Sequence, residues 1–339
     1  MVRIRIFITG GCGFIGTNFA DYFSGNGNEV VVFDSIYRKG TEKNMEWLKS
    51  KKGVTIISGD IRDEKFLSEA CHGCDIIYHT AAQTAVTISV KDPRKDFEIN
   101  ALGTFNVLEA ARKNDLPVIY CSTNKVYGDN VNKIPIKEKE KRYDFEGEEG
   151  VNESFPIDAK EHTPYGSSKL AADQYTRDYA SIYGINTITN RQSCIYGPRQ
   201  FGSTDQGWVV HFILSAINNK LLTIYGDGKQ VRDILFIHDL AELFEKQTKK
   251  IKEFSGEVYN IGGGRENTIS ILELIALLEE LTGRRITYKF SDWRPADQKV
   301  FYCDIKKAKK DFSWEPKTSV RDGIKKTFEW ISENKKLFS

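Results

Sequence analysis

Tyr165 and Lys169 lie one helical turn apart in the run Tyr165-Gly166-Ser167-Ser168-Lys169. Free tyrosine has a pKa near 10, so it works as a base at neutral pH only where positive charge stabilises its phenolate. A lysine four residues further on the same helical face supplies one such charge. The pair therefore predicts acid–base chemistry, in which Tyr165 takes the proton of an alcohol and Lys169 supports it.

A glycine-rich segment, Thr9 to Gly16, precedes this pair and carries three glycines at intervals of three. It lies between an apolar strand-like run and a helical run, where backbone amides approach a pyrophosphate at the helix N-terminus. Asp34 ends the next strand-like run about 20 residues on, where a carboxylate hydrogen-bonds ribose hydroxyls and repels a 2′-phosphate. The pattern favours NAD, although Arg38 and Lys39 could instead neutralise the phosphate of NADP.

The surrounding chain alternates between strand-like and helix-like patterns, which predicts an α/β fold with a doubly wound parallel Rossmann sheet and helices on both faces. The predicted strands are Arg3 to Thr9, Glu29 to Asp34, Val54 to Ser58, Asp75 to His79, Pro117 to Ser122 and Asn186 to Asn190. The predicted helices are Gly16 to Phe23, Glu42 to Ser50, Glu64 to Ala70, Asp96 to Lys113, Ser167 to Tyr183 and Ser270 to Leu281.

We expect two domains, a dinucleotide-binding domain at about 1–190 and a smaller α/β substrate-binding domain at 191–339. The chain is expected to cross between them more than once, so a single boundary is approximate. Lys133 to Asp158 interrupts the alternation and is crowded with Lys and Glu. We interpret that segment as a solvated loop or insertion, with a substrate lid as the alternative.

Composition narrows the class of partner. The 339 residues include 49 basic and 47 acidic ones with a net charge of +2, and the charges are interspersed, so no basic face favours nucleic acid. A small molecule is the expected partner. No apolar run approaches the roughly 18 residues of a membrane span, and the first strand leads into the glycine segment without room for a signal peptide. We therefore expect a cytoplasmic protein.

The six cysteines are scattered along the chain, which is typical of reduced thiols in an intracellular enzyme. Only Cys71-His72-Gly73-Cys74 has the spacing of a metal motif. A zinc site of that kind needs a second pair of ligands, and none follows at a suitable spacing. We interpret the segment as a loop with two incidental thiols and expect no metal.

These motifs together resemble the extended short-chain dehydrogenase/reductase superfamily, which includes nucleotide-sugar epimerases, dehydratases and decarboxylases. The matching pattern runs from the glycine segment and Asp34 through Thr123 with Val126-Tyr127-Gly128 to the Tyr165 and Lys169 pair. The resemblance extends to near residue 320. Tyr165, Lys169 and Thr123 would be catalytic, with Thr123 holding the reacting oxygen by a hydrogen bond. The residues expected to bind NAD are Gly10, Gly13, Phe14, Ile15, Gly16, Asp34, Arg38, Asp60, Ile61, Ala81, Ala82, Gln83, Asn100, Ser122, Tyr165 and Lys169.

The two residues after Thr123 separate the subfamilies. Sugar 4,6-dehydratases of this superfamily carry Asp-Glu there, as acid and base for eliminating water, and related decarboxylases carry a glutamate. This chain has Asn124-Lys125. Without those carboxylates the ketone is most simply reduced again, and reduction on the other face gives an epimer. Asn124 is expected to orient substrate or nicotinamide.

Several segments closely resemble the CDP-tyvelose (CDP-paratose) 2-epimerases, namely Ser122 to Asp129, Ala171 to Tyr175, Asp205 to Val209, Gly228 to Asp233 and Asp297-Gln298. The resemblance implies oxidation at C2, rotation of the 2-keto sugar and return of the same hydride to the opposite face. Gln192 to Ile195 departs from that subfamily, so a different sugar is possible. The residues expected to bind a nucleotide-diphosphate sugar, with a CDP-sugar favoured, are Gln83, Thr123, Asn124, Ser193, Arg199, Gln206, Trp208, Val209, Arg232, Arg294 and Gln298.

Other functions stay open. One is a 4-epimerase of the UDP-glucose/UDP-galactose type, and another is a 2-epimerase acting on other CDP- or GDP-hexoses. A non-catalytic dinucleotide-sensing protein would need the glycine segment but not Tyr165 and Lys169. By resemblance to the superfamily we also expect a homodimer formed through helices near 98–114 and 166–183.

Overall fold

The computed structural model of the chain describes residues 3–203, 205–294 and 297–338. Its strands are β1 (Arg5–Thr9), β2 (Glu29–Asp34), β3 (Val54–Ser58), β4 (Ile76–His79), β5 (Val118–Thr123), β6 (Ile136–Glu138), β7 (Tyr143–Phe145), β8 (Thr187–Gln192), β9 (Cys194–Tyr196), β10 (Leu222–Tyr225), β11 (Val231–Phe236), β12 (Glu257–Ile261), β13 (Thr268–Ser270), β14 (Tyr288–Ser291) and β15 (Val300–Phe301).

The α-helices are α1 (Phe14–Gly25), α2 (Thr41–Lys49), α3 (Glu64–Ala70), α4 (Val86–Lys91), α5 (Pro93–Phe97), α6 (Gly103–Asn114), α7 (Thr163–Tyr183), α8 (Trp208–Ile217), α9 (Ile237–Lys250), α10 (Ile271–Thr282), α11 (Lys306–Phe312) and α12 (Val320–Glu333). A π-helical turn, Glu98–Leu102, separates α5 from α6. Short 3₁₀ segments occur at Asn124–Lys133, Arg265–Asn267 and Lys335–Phe338.

The chain forms two compact units, each built from three segments. The first contains the described parts of Met1–Val126, Thr163–Arg191 and Leu240–Tyr259, and the second contains Tyr127–His162, Gln192–Asp239 and the described parts of Asn260–Ser339. A single boundary at 190 therefore misplaces two segments: 127–162 belongs to the second unit, and 240–259 belongs to the first. The assignment of NAD and nucleotide sugar to separate domains stays a prediction.

The first unit is organised around a seven-stranded parallel sheet in the order β12-β8-β5-β4-β1-β2-β3. All four residues of β4 and all six of β5 are buried, which explains their continuous apolar runs, since strands covered on both faces do not alternate. Strand order reverses between β1 and β4, and ligands of doubly wound sheets bind in the crevice at such a switch point. The predicted Rossmann sheet is confirmed.

The second unit has a smaller sheet, in which β11 pairs with β9, β13 and β15. Its core contains buried apolar side chains from α8, α10 and α12, including Phe212, Leu278 and Ile324. Tyr127 of the Val-Tyr-Gly motif is fully buried, and its hydroxyl donates to Oδ1 of Asn260 at 2.8 Å. These contacts join parts of the unit that are far apart in sequence.

The structure differs from the predictions in several places. The helix predicted from Asp96 to Lys113 is interrupted by the π-helical turn, and strand β12 and helices α4, α8, α9, α11 and α12 were not predicted at all. The Lys133 to Asp158 segment is not simply solvated, because it contains the β6–β7 hairpin and buries Phe145 and Val151. The ring of Phe145 packs 4.7 Å from that of Tyr302, a partner that local sequence does not reveal.

Across residues 3–203, 205–294 and 297–338, no helix is long and apolar enough to cross a membrane. The same ranges hold no group of three or more His, Cys, Asp or Glu side chains arranged to bind a metal ion. Cys71 and Cys74 are both buried, and burial raises the pKa of their thiols to about 12 and about 11.

Candidate active site

The glycine segment packs too tightly for side chains. Gly10 has a φ of +65°, and a Cβ there would lie 2.6 Å from Cα of Ala81. A Cβ at Gly16 would lie 2.5 Å from the carbonyl oxygen of Gly10. Within the segment, Gly13 is the N-cap of α1 and makes no capping side-chain hydrogen bond. The N-terminal backbone of α1, beginning at Phe14 and Ile15, therefore has the open, positively polarised end that binds a pyrophosphate.

Asp34 closes β2 beside this segment and is 8% exposed. Its Oδ2 accepts a hydrogen bond from the backbone N–H of Cys12 at 3.0 Å, and its Oδ1 accepts one from Ile36 at 2.7 Å. Burial raises the pKa of Asp34, while the backbone N–H groups that it accepts from oppose that change. Hydrogen bonds thus hold the Asp34 carboxylate against the glycine segment, at the place where the ribose diol of a dinucleotide would lie. Asp34 and the glycine segment therefore suit NAD.

Four further residues predicted to bind NAD have protein partners. Asp60 accepts from Nη2 of Arg62 at 2.7 Å, which lowers the pKa of Asp60. Ile61 is buried in the core of the first unit. Nη1 of Arg38 donates to Oγ1 of Thr84 at 2.9 Å. The fourth, Ser122, donates from Oγ to a buried carboxylate, Asp173, at 2.8 Å.

Gln83 and Asn100 form a hydrogen-bonded pair next to Ala81 and Ala82. The backbone N–H of Gln83 donates to Oδ1 of Asn100 at 2.9 Å, and Nδ2 of Asn100 donates back to the carbonyl of Gln83 at 2.9 Å. The side-chain amide of Gln83 is occupied by Ala85, which donates to Oε1 at 2.7 Å and accepts from Nε2 at 3.0 Å. In this structure both amides serve to shape the loop; direct contact with NAD or sugar stays a prediction.

The residues predicted to be catalytic lie at the end of β5 and the start of α7. Tyr165 is 9% exposed, and its backbone N–H donates to Oγ of Ser89 at 3.1 Å. The Lys169 side chain is 2% exposed; its Nζ donates to the carbonyl of Cys121 at 2.7 Å and lies 4.3 Å from the ring centroid of Tyr120. The helix and the strand end therefore hold the phenol and the ammonium together in a dry environment.

Burial dominates the electrostatics of this pair. It raises the pKa of Tyr165 to about 12, to which the charges of Asp96 and Cys121 add, while a hydrogen bond with Thr123 lowers it. Burial also lowers the pKa of Lys169 to about 8, so the ammonium form still dominates at neutral pH. The protein groups alone leave Tyr165 a phenol, and the base needs more positive charge nearby. NAD, when bound, supplies a positively charged nicotinamide and a hydride acceptor.

Thr123 is followed in the chain by two residues that have no carboxyl group, Asn124 and Lys125. Its Oγ1 donates to Oδ1 of Asn124 at 3.3 Å and accepts from the backbone N–H of Lys125 at 3.3 Å. Thr123 and Asn124 are 7% and 9% exposed. The two residues after Thr123 are an asparagine and a lysine, so no carboxylate occupies the position at which the resemblance places Asp-Glu in dehydratases.

The remaining predicted substrate residues belong to the second unit. Oγ of Ser193 donates to the buried carboxylate of Asp233. Arg232 donates from Nη2 to Oδ1 of Asp297 at 2.7 Å, and the backbone N–H of Gln298 donates to the same oxygen at 2.9 Å. The Asp297 carboxylate thus brings Arg232 and Gln298 together. Ser193 is connected to the same stretch of chain, because its partner Asp233 directly follows Arg232.

Other members of that set lie on separate elements of the second unit. The guanidinium of Arg294 stacks 4.0 Å from the ring centroid of Tyr225, and that of Arg199 lies 5.7 Å from the ring of Trp330. Gln206 precedes α8, which begins at Trp208, and Val209 is buried in the core. Substrate binding by these residues stays a prediction.

Sequence reasoning missed three buried charged residues of the first unit. Asp173 is fully buried and forms a two-point ion pair with Arg191, with Nε to Oδ2 and Nη2 to Oδ1 distances of 3.0 Å each. Asp96 is 1% exposed and bonds to the residue before Lys169. Asp173 could have been found, because it lies four residues after Lys169 on the same helical face. Asp96 gave no such signal.

Comparisons with known proteins agree along almost the whole chain. The family model described as GDP-mannose 4,6 dehydratase matches residues 7–327. CDP-paratose 2-epimerase from Salmonella typhi is 41% identical over 97% of this chain and 99% of its own length, and a putative UDP-glucose 4-epimerase from Methanocaldococcus jannaschii is 32% identical over 97% and 99%. UDP-glucuronic acid 4-epimerase from Bacillus cereus, solved with UDP-glucuronic acid and NAD, superposes with a TM-score of 0.84 at 28% identity, covering 98% and 100% of the two chains. The chain therefore belongs to the extended short-chain dehydrogenase/reductase family and is an NAD-dependent enzyme.

Proposed function

We propose that this enzyme inverts C2 of a CDP-linked sugar, converting CDP-paratose to CDP-tyvelose. The observation that carries the proposal is the 41% identity to CDP-paratose 2-epimerase over 97% of this chain. The residues of the candidate active site support the same chemistry, since they include a base, its cation and a hydroxyl that binds the reacting oxygen. They lack the carboxylates that elimination needs.

Three side chains of the first unit carry the proposed reaction. Tyr165 takes the proton of the C2 hydroxyl as the C2 hydrogen leaves as hydride, and it returns that proton when the ketone is reduced. Thr123 holds the C2 oxygen in both directions by a hydrogen bond, and its bond with Tyr165 lowers the pKa of the phenol. Lys169 keeps positive charge close to the phenolate.

Inversion requires the keto sugar to present its other face before reduction. Rotation about the link to the diphosphate achieves this while the nucleotide stays bound. Arg232 and Arg294 of the second unit suit that anchoring role, because a guanidinium fork matches phosphate oxygens. Arg232 is already held by Asp297 at 2.7 Å, which orients its fork.

The test is the product formed from a panel of CDP-paratose, CDP-glucose, GDP-glucose and UDP-glucose, identified by NMR after incubation with the enzyme and NAD. We expect CDP-paratose to be inverted at C2 and to turn over faster than the other three. Enzyme omitted and the Tyr165→Phe variant serve as controls. Inversion at C4 alone, in any sugar of the panel, would refute the proposal.

A 4-epimerase of the UDP-glucose type is the second candidate. It is favoured by the 32% identity to the putative UDP-glucose 4-epimerase, and the same base and hydroxyl suit oxidation at C4. The two candidates differ in which carbon lies beside Tyr165, so the substrate panel separates them. A non-catalytic dinucleotide sensor would leave all four sugars unchanged.

We also propose that two copies of the chain associate through the faces of α6 and α7. Side chains on or next to these helices are apolar and exposed, with Phe97 57%, Leu102 41%, Tyr175 47% and Ile182 67% exposed. Apolar side chains grouped on neighbouring helices are typical of an interface between subunits. The occupant that fits two such helices is a second copy, because an isologous interface pairs each face with itself.

Light scattering should give the mass of a dimer for the unmodified protein and of a monomer for the Leu102→Glu/Ile182→Glu variant. Each substitution places a charge in an apolar interface, where it is unpaired. Phe290→Glu is the matched control, since Phe290 is 56% exposed on the second unit and its variant should stay dimeric. A monomer for the unmodified protein at working concentration would count against this interface.

A further inference from the structure

Asp96 is a buried carboxylate held by three neutral donors. It lies on α5, is 1% exposed, and accepts from Oγ of Ser168 at 2.5 Å, Nε2 of Gln83 at 2.7 Å and Nδ2 of Asn100 at 3.1 Å. Within the part of the chain that the structure describes, no basic side chain forms an ion pair with it. Burying a carboxylate is costly unless hydrogen bonds compensate, and here the three donors supply that compensation.

Those neighbours belong to the reacting centre. Ser168 lies between Tyr165 and Lys169 in the first turns of α7, and its hydroxyl is also 3.1 Å from the carbonyl of Tyr165. Gln83 and Asn100 shape the loop that follows β4. The 2.5 Å distance from Ser168 is that of a hydroxyl donating to a charged carboxylate, the stronger class of hydrogen bond. Asp96 therefore ties α7 to the loop after β4.

Asp96 also contributes negative charge near Lys169. Asp173, which forms a two-point ion pair with Arg191, does so as well, and both carboxylates raise the pKa of Lys169. Asp96 differs from Asp173 in having no ion-pair partner among the described residues, and its carboxylate is held by neutral donors. It raises the pKa of both Lys169 and Tyr165.

Other titratable groups also lie near Tyr165 and Lys169, and each has a defined effect on their pKa values or on the charge around them. Cys121 raises the pKa of Tyr165 and of Lys169. The face of Tyr120 lies under the Lys169 ammonium, and His79 stacks on Tyr120 with a centroid distance of 5.2 Å. His79 is buried, and burial lowers its pKa to about 3, so it is neutral and adds no charge.

We propose that Asp96 is a positioning residue of the reaction, which fixes the first turns of α7 through Ser168 and the loop at Gln83 while its charge balances Lys169. The inference rests on the proposed role of Tyr165 as the base. Replacing Asp96 with Asn keeps the size of the side chain but removes the charge and sets an N–H against one of three donors.

The test is an ultraviolet difference titration, in which the absorbance of phenolate is compared between the NAD-saturated protein and the same protein carrying Tyr165→Phe. The difference reports ionisation of Tyr165 without any sugar. With Asp96→Asn in both proteins we expect the midpoint to move to lower pH by about one unit, because the negative charge that raises the pKa of Tyr165 is gone. Asp96→Glu, which keeps the charge, should restore the midpoint.

Asp178→Asn is the matched control, because Asp178 is exposed on the same helix and its loss of charge should leave the midpoint unchanged.

Ser168→Ala provides a second variant should Asp96→Asn unfold. It removes the hydrogen bond between Ser168 and Asp96 but keeps the charge of Asp96, so we expect the turnover number to fall at least tenfold while the midpoint stays the same. An unchanged or raised midpoint in Asp96→Asn, or full turnover in Ser168→Ala, would overturn the proposal. The titration uses no sugar, so it tests Asp96 separately from the proposed function. A shifted midpoint without C2 epimerisation would reject the proposed function and keep the role of Asp96. C2 epimerisation with an unshifted midpoint would keep the proposed function and reject the role of Asp96.

Discussion

Tyr165→Phe is expected to lower turnover of the nucleotide sugar about a thousandfold or more, with NAD binding retained. Phenylalanine fills the same buried slot, so α7 and the glycine segment stay as they are. The variant loses only the hydroxyl that exchanges a proton with the substrate. Steady-state rates measured by NMR, with NAD affinity from fluorescence titration, check both halves of the expectation.

Tyr183→Phe is the matched control for this substitution. Tyr183 ends the same helix and is 53% exposed, so loss of its hydroxyl removes a group far from any acid–base role. Its turnover should equal that of the unmodified enzyme. If Tyr165→Phe kept full turnover, the assignment of the base would be wrong; if it lost NAD as well, the phenol hydroxyl would be required for binding the cofactor.

Arg191→Met is expected to lower the free energy of unfolding by about 3–5 kcal/mol. Arg191 is 1% exposed and Asp173 is fully buried, so removing the guanidinium leaves the carboxylate without its ion-pair partner in a dry core. The same carboxylate accepts from Ser122 at the end of β5, which ties the loss to the strand that carries Thr123. Urea unfolding followed by circular dichroism measures the change.

The double variant Arg191→Met/Asp173→Leu should recover much of this loss, because it removes both charges together. Lys49→Ala is the control for a surface pair: Lys49 and Glu46 are 2.6 Å apart but more than half exposed, so its effect should stay below about 1 kcal/mol. An Arg191→Met protein as stable as the unmodified one would show that the buried pair does not support the first unit.

The elements predicted best from sequence are those with a strong local pattern. Strands β2 and β3 and helix α3 have the predicted bounds, because short apolar runs or helical spacing are flanked by polar residues in each. The glycine segment was recognisable for the same reason, since its spacing and the following Asp34 form a local motif. Asp34, at the end of β2, could be named as a candidate cofactor residue from sequence alone, and its role stays a prediction.

What escaped prediction depends on contacts between distant parts of the chain. Asp96 bonds to Ser168, and the β6–β7 hairpin buries Phe145 against Tyr302, pairs that no local pattern connects. Helix α9 did carry a readable signal, with Leu240, Leu243 and Phe244 on one face, but that pattern did not show that the helix belongs to the first unit from Leu240 onward. Tertiary partners, rather than local propensity, decide such features.

The most direct measurement for C2 epimerisation uses CDP-paratose carrying deuterium at C2, incubated with enzyme and unlabelled NAD and examined by NMR. If Tyr165 moves the proton of the hydroxyl while the C2 hydrogen leaves and returns as hydride, the product is inverted at C2 and keeps its deuterium there. Inversion with the deuterium replaced by solvent hydrogen would mean removal of C2 hydrogen as a proton. Inversion at C4 with C2 untouched would contradict the proposal outright.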